Sequence, residues 1–148
     1  DQSLISELGA TPLDYTKASS DDIIAAGPEG QGFNIVYDTV GGPVLEASLS
    51  MTTHYGHITS CAAFGNHNLA SSSLRCATVS GVFVLMPMLT GNRRAHHGDI
   101  LKIATRLVEE GKLRPIVDPR HFTLDQAIEA HDAVQDRSAN IKVVIDVI

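Results

Sequence analysis

Residues 33–43, FNIVYDTVGGP, constrain the fold of this chain more than any other stretch. Phe33, Ile35, Val36 and Tyr37 make a short apolar run, the pattern of a strand covered on both faces in a parallel sheet. The character then changes abruptly. Asp38 and Thr39 are polar, Gly41 and Gly42 mark a turn, and Pro43 suits the first turn of a helix, because its missing N–H would be an orphan donor there. Strand, polar tip, turn and helix start follow in that order. In open α/β sheets the C-terminal ends of such strands are where ligands bind.

The flanking segments extend the pattern. Residues 3–8 read as the last turns of a helix closed by Gly9, which points to a fragment of a longer protein. Residues 11–15 predict a short strand with Leu13 and Tyr15 on one face, and the run Ser19, Ser20, Asp21, Asp22 starts a short helix that stops at Gly27 and Pro28. A helix over 43–53 follows the first strand, Gly56 ends it, and residues 57–61 form a second buried strand whose tip, at 62–66, lies level with Thr39 and Gly41. Residues 77–85 predict a third buried strand ended by Pro87. A helix over 97–110 carries Ile100, Ile103, Ala104, Leu107 and Val108 at helical spacing, with Gly111 as its stop. Residues 113–117 read as a short extended piece. Thr123 and Gln126 match a capping box that opens a further helix, and residues 141–148 read as a final strand. Helical crossovers between these strands predict an α/β doubly wound parallel sheet in one domain, residues 1–148.

Composition narrows the function classes. The chain is 43% hydrophobic, enough for a domain with its own core, and its net charge of −6 without a basic cluster predicts no nucleic-acid and no membrane partner. No apolar run approaches the roughly 20 residues of a membrane span and no signal-peptide pattern opens the sequence, so a soluble, cytoplasmic protein is expected. Cys61 and Cys76 lack CxxC spacing and read as free thiols. No pair of the seven histidines has HExxH spacing, and no metal site is expected.

Five strings follow one another over nearly the whole chain: LGATPLDY at 8–15, IVYDTVGG at 35–42, YGHITS at 55–60, EGKLRP at 110–115 and FTLDQAIEAH at 122–131. In this order and spacing the sequence resembles the medium-chain dehydrogenase/reductase superfamily, in its zinc-free NADPH:quinone oxidoreductase branch, and specifically the zinc-binding-dehydrogenase-type C-terminal domain. The resemblance implies an NADPH-dependent oxidoreductase that passes a hydride to a quinone or an activated alkene. It also implies that the glycine loop, its two flanking strands and a barrel-like catalytic domain precede the point where this sequence begins, and no GxGxxG occurs within it. The expected fold is then a partial Rossmann-like doubly wound parallel sheet lacking its first two strands and the glycine loop. In the strand order 3-2-1-4-5-6, the strand at 11–15 is the third and has no partner in its own chain.

The same resemblance assigns cofactor contacts. Tyr15 matches a tyrosine beside the 2′-phosphate of NADPH, with a half-buried strand tyrosine as the plain alternative. Thr39, Val40 and Gly41 match the loop that passes the ribose and nicotinamide, or form only a turn. Cys61, Ala62, Ala63 and Phe64 match the turn that lines the cofactor, although the family often has glycine where Ala62 or Ala63 stands. Phe83 and Val84 match the strand whose backbone recognises the carboxamide, with core packing as the alternative. Arg137 matches an arginine that approaches the 2′-phosphate, where a guanidinium fork suits a dianion; the alternative is a solvated side chain. Ile141 departs from the glycine the family often has before the last strand. No catalytic side chain is expected, because hydride transfer in such enzymes needs mainly cofactor placement, and Asp38 is read as a turn and capping residue.

Two other readings use the same residues. One is a non-catalytic folding or dimerisation module, since the resemblance puts the strand at 77–85 on the sheet edge, where it pairs with its copy in a homodimer. The other is an enoyl-reductase module of a polyketide-type synthase, which shares these motifs. The 148-residue chain by itself is expected to be inactive.

Overall fold

Which apolar runs become strands is decided by the hydrogen-bonding partners available to them. A computed structural model describes residues 2–136, 138, 139 and 141–147, and the chain divides into two units, Asp1–Met86 and Pro87–Ile148. Arg137 lies outside the described residues.

The first unit opens with two short helices, α1 at Gln2–Glu7 and α2 at Ser20–Ala25. Ser19 caps α2 in a reciprocal box. Its hydroxyl accepts from the Asp22 amide at 3.2 Å while the Asp22 carboxylate accepts from the Ser19 amide at 2.8 Å. Then come β1 at Phe33–Asp38, α3 at Gly42–Met51, β2 at Thr52–Ser60, α4 at Ala70–Leu74 and β3 at Thr78–Gly81. The three strands are parallel in the order β1-β2-β3, the arrangement expected of the later half of a Rossmann-like sheet. α3 is the crossover between β1 and β2, and its Leu45 and Leu49 are buried against Ile58, Val36 and Val79.

Among the described residues of this unit only that face of the sheet is covered. Ile35 is 77% exposed and Tyr37 63% exposed on the opposite face, so β1 is buried on one side, not on both. Its residues alternate as a half-buried strand does.

Three further expectations are corrected in this unit. Residues 11–15 form no strand: Asp14 instead closes a local turn, its carboxylate accepting from the Thr16 amide at 3.1 Å and hydroxyl at 2.6 Å. A lone extended segment has no ladder to join. Gly56 does not end a helix; β2 starts at Thr52 and runs through it. Tyr55 takes a positive φ of 62° beside a register irregularity, and a Cβ on Gly56 would meet Thr52 Cγ2 at 2.5 Å and the Asn34 carbonyl at 3.1 Å. The third strand stops at Gly81, the register partner of Ser60. The Val82 amide donates to the Ser60 carbonyl at 2.8 Å, and past that point β2 has turned away. Phe83 and Val84 therefore lie beyond the strand, and Pro87 lies inside α5, Leu85–Thr90.

In the second unit α6 spans Arg94–Glu109, close to the predicted helix, and no residue of it is buried. The extended piece read at 113–117 lies instead at Val117–Thr123, as β4; Pro119 within it removes a ladder donor, and the pairing with β5 is irregular between Val117 and His121. The predicted capping box is present, with the Thr123 amide donating to Gln126 Oε1 at 3.1 Å ahead of α7, Ala127–Gln135. β5, Lys142–Asp146, pairs parallel with β4. Phe122, Ala130, Ala133 and Ala139 make a small core with Val143 and Ile145. Among the described residues no helix is long and apolar enough to cross a membrane.

Arg120 grips Asp118 with two parallel hydrogen bonds, 2.8 and 2.9 Å, and its guanidinium lies 5.6 Å from the centre of the Phe122 ring. The Arg120 side chain and amide hold the Asp118 carboxyl down from 3.8 to about 2. A carboxyl depressed in the folded state stabilises it above the unfolded pKa and loses that contribution as pH falls through the folded one. Asp118→Asn is therefore expected to lower the urea midpoint at pH 7, with the gap to wild type closing as pH falls from about 4 to about 2; a gap that persists at pH 2 contradicts this role.

Candidate functional site

Because β1, β2 and β3 are parallel and nearly in register, with Asp38 opposite Ser60 and Ser60 opposite Gly81, their C-terminal ends meet along one edge. Asp38, 4% exposed, organises that edge. Its carboxylate accepts from the Val40 amide at 3.1 Å, from the Gly41 amide at 3.1 Å and from the Ser60 hydroxyl. Ser60 Oγ in turn accepts from the Ala62 amide at 3.0 Å. The turn after β1 and the turn after β2 are thus joined through one carboxylate. Burial pushes the Asp38 carboxyl up, but the Ser60 hydroxyl, the Gly41 and Val40 amides and the nearby His67 outweigh it and hold the group below the usual carboxylate range.

Gly41 makes the closest approach between the two turns. Its φ is +77°, and a Cβ there would meet the Ala62 carbonyl oxygen at 2.2 Å. The next turn continues from this contact. The Cys61 amide donates to the Asp38 carbonyl at 3.1 Å and the Phe64 amide to the Ala62 carbonyl at 2.8 Å, while the Phe64 ring meets Phe83 edge-on at 6.1 Å. His67 braces the loop from behind, with Nε2 3.2 Å from the Phe64 carbonyl oxygen and Nδ1 3.6 Å from Glu46 Oε1. Hydrogen bonding to the Cys61 thiol pushes the Tyr37 hydroxyl above its ordinary pKa.

Two hollows flank this edge. One, of about 230 Å³, is lined by Cys61, Ala63, Phe64 and Phe83 together with Ser60 and Val82. The other, of about 560 Å³, is lined by Tyr15, Ile23, Val40, Val44 and Met51 among others. Of the residues singled out in the sequence, Val40 and Tyr15 share the larger hollow, and Cys61, Ala63, Phe64 and Phe83 share the smaller. Gly41 and Ala62 form the contact between turns. Thr39 and Val84 are exposed and line neither hollow.

Ser60 and His67 were not singled out as site residues from the sequence. For Ser60 a signal existed: two parallel strands ending level, one in Asp38 and the other in a hydroxyl. For His67 there was none, because its contacts come from the loop after β2 and from α3.

Only the small Ala62 methyl accompanies backbone at the contact of Gly41 with Ala62, and the two hollows offer apolar walls. Among the described residues no three His, Cys, Asp or Glu side chains gather into a group able to hold a metal ion. Gly41→Ala is expected to destabilise the chain by about 1–3 kcal/mol, since the added methyl meets backbone at a left-handed position. An unchanged urea midpoint contradicts the close approach.

Comparison with known proteins adds the following. The family model described as zinc-binding dehydrogenase matches residues 8–145. A crystal structure of an alcohol dehydrogenase superfamily protein from Novosphingobium aromaticivorans is 45% identical, with a TM-score of 0.86, over 94% of this chain and 42% of that one. The JamJ enoyl reductase is 14% identical with a TM-score of 0.76, over 100% of this chain and 45% of that one, a likeness of fold alone. A highly reducing polyketide synthase of Emericella nidulans is 26% identical over 147 residues, covering 92% of this chain and 6% of that protein. The chain thus spans less than half the length of each of these relatives.

Proposed function

This chain belongs to the zinc-binding dehydrogenase family, and on that premise we propose that it is the cofactor-side portion of an NADPH-dependent oxidoreductase that transfers a hydride to a quinone or an activated alkene. The observation that carries this reading is the shared edge of β1, β2 and β3, where the Gly41 backbone lies against the Ala62 carbonyl between two apolar hollows. NADPH, when bound, supplies the hydride. The residues of this chain orient it: Val40 and Gly41 present backbone to a flat ring, and Cys61, Ala62, Ala63 and Phe64 form the wall beside it. The Phe64 and Phe83 rings, packed edge to face, form an apolar wall of the smaller hollow.

Tyr15 in the larger hollow and Arg137 supply the preference for the 2′-phosphate form of the cofactor in this reading. β3 stands at the end of the sheet order with one edge unpaired among the described strands, and Val82, Phe83 and Val84 beyond it are partly exposed. That edge is the surface we assign to a homodimer partner. Cys61 and Cys76 are free thiols, in keeping with a reducing, cytoplasmic setting. The likeness to a polyketide synthase favours a second form of the same reading, in which the activated alkene is a thioester-bound enoyl group reduced within a larger synthase.

Calorimetric titration of the 148-residue chain with NADPH and NADH, with light scattering on the same sample, tests the proposal. Saturable NADPH binding tighter than about 100 µM, roughly −5.5 kcal/mol, and tighter than NADH, is the expected outcome. A folded dimer that binds neither nucleotide would instead make the chain a folding and dimerisation module.

A further inference from the structure

The His67 ring faces two groups that only accept hydrogen bonds. Nε2 stands 3.2 Å from the Phe64 carbonyl oxygen, while Nδ1 is buried, makes no hydrogen bond and lies 3.6 Å from Glu46 Oε1. The side chain is 11% exposed, so water offers Nδ1 no substitute partner. A neutral imidazole has one N–H to give. Given to Phe64, it leaves the Nδ1 lone pair against a carboxylate; given to Glu46, it leaves the Nε2 lone pair against a carbonyl. A ring that carries both protons satisfies both contacts. The other described hydrogen bonds of residues 62–68 are local, from the Ala62 amide to Ser60, from Phe64 to Ala62 and from Ala70 to Asn68. Among the described residues, the pair with Glu46 is thus the polar tie from this loop to α3.

We propose that His67 is a positioning residue, a clasp that holds the loop after β2 against α3 when its ring carries two protons and lets it go when one is lost. What it positions is Phe64, whose carbonyl it grips and whose ring meets Phe83 in the wall of the smaller hollow. The charges around the ring favour the doubly protonated form. Glu46 is the one charged residue of α3, Asp38 at the end of β1 is a second carboxylate close enough to feel the ring, and residues 62–74 of the loop and α4 contain no other charged group. Arg75, beyond α4, turns its guanidinium to the Ser71 carbonyl at 3.1 Å. Loss of the proton sets a lone pair against an acceptor and frees the loop. Any effect on a bound nucleotide rests on the oxidoreductase reading; the clasp itself rests on the contacts of the ring.

The test follows the ring nitrogen NMR signals of His67, and the backbone and ring signals of Phe64, in the 148-residue chain as pH rises from about 5 to about 9. Wild type is expected to show both nitrogens protonated at the low end. As one proton leaves, the Phe64 signals should shift with the same midpoint. Glu46→Gln separates a clasp from a merely structural contact. A glutamine side chain donates as well as accepts, so it pairs with Nδ1 of the neutral ring and the pH-dependent Phe64 shift should be lost, with Phe64 held in its low-pH position throughout. His67→Ala should hold Phe64 at the high-pH position at every pH; if that variant does not fold, Glu46→Gln decides alone. A ring whose proton count does not change over this range, Phe64 signals that ignore the His67 titration, or a Glu46→Gln chain that responds as wild type does overturns the proposal. NADPH added at both ends of the range reports separately. Weaker binding at high pH in wild type, restored in Glu46→Gln, carries the clasp into the proposed reaction. No NADPH binding, with the ring and Phe64 signals as expected, removes the oxidoreductase reading and upholds the clasp.

Discussion

Asp38 accepts from Val40, Gly41 and Ser60 while Ser60 accepts from Ala62, so the end of β1, the start of α3 and the turn beyond β2 share one connected set of hydrogen bonds. A carboxylate withdrawn from water is tolerated only when its oxygens are satisfied, and here every partner is part of the site edge. The contact of Gly41 with Ala62 lies between the two turns this arrangement joins. Removing any partner leaves a buried charge with an unmade bond.

Much of this was legible from residue types alone. The switch from Tyr37 to Asp38, Thr39 and glycine located the end of β1, and Ser19 and Thr123 each opened a helical segment through a local side-chain cap. These signals are short-range, so a sequence carries them whole. What escaped depends on partners distant in sequence. Residues 11–15 have strand-like composition but no ladder beside them. β4 is a strand in spite of Pro119 because β5 lies alongside. Gly56 looked like a stop and is instead a point of close approach to Thr52 and Asn34. Ser60 gained its meaning only once it stood opposite Asp38. The candidate residues divide too: Val40 and Gly41 after β1 and Cys61, Ala62, Ala63 and Phe64 after β2 lie on the shared edge, while Thr39, on the same first turn, and Val84 line neither hollow.

Family membership and the Asp38 cluster carry different kinds of information. The match over residues 8–145 places the chain among zinc-binding dehydrogenases, yet names within such a family cover several chemistries, and fold alone does not choose among them. The hydrogen-bond inventory bears on a narrower matter, how the turns after β1 and β2 are held to one another.

The crossover that joins β1 to β2 also bears on the order of events in folding. Asp38 and Ser60 stand 22 residues apart, and Thr59 and Ser80, which share a hydroxyl hydrogen bond on the neighbouring pair of strands, stand 21 apart. For a parallel sheet these are near the shortest separations a helical crossover permits, so the entropy lost in closing each loop is small. The strand ends are therefore brought level by two successive closures of low contact order, without waiting for any more distant pairing. Each pairing that builds the edge thus spans only one crossover, so its geometry is set within a short stretch of chain.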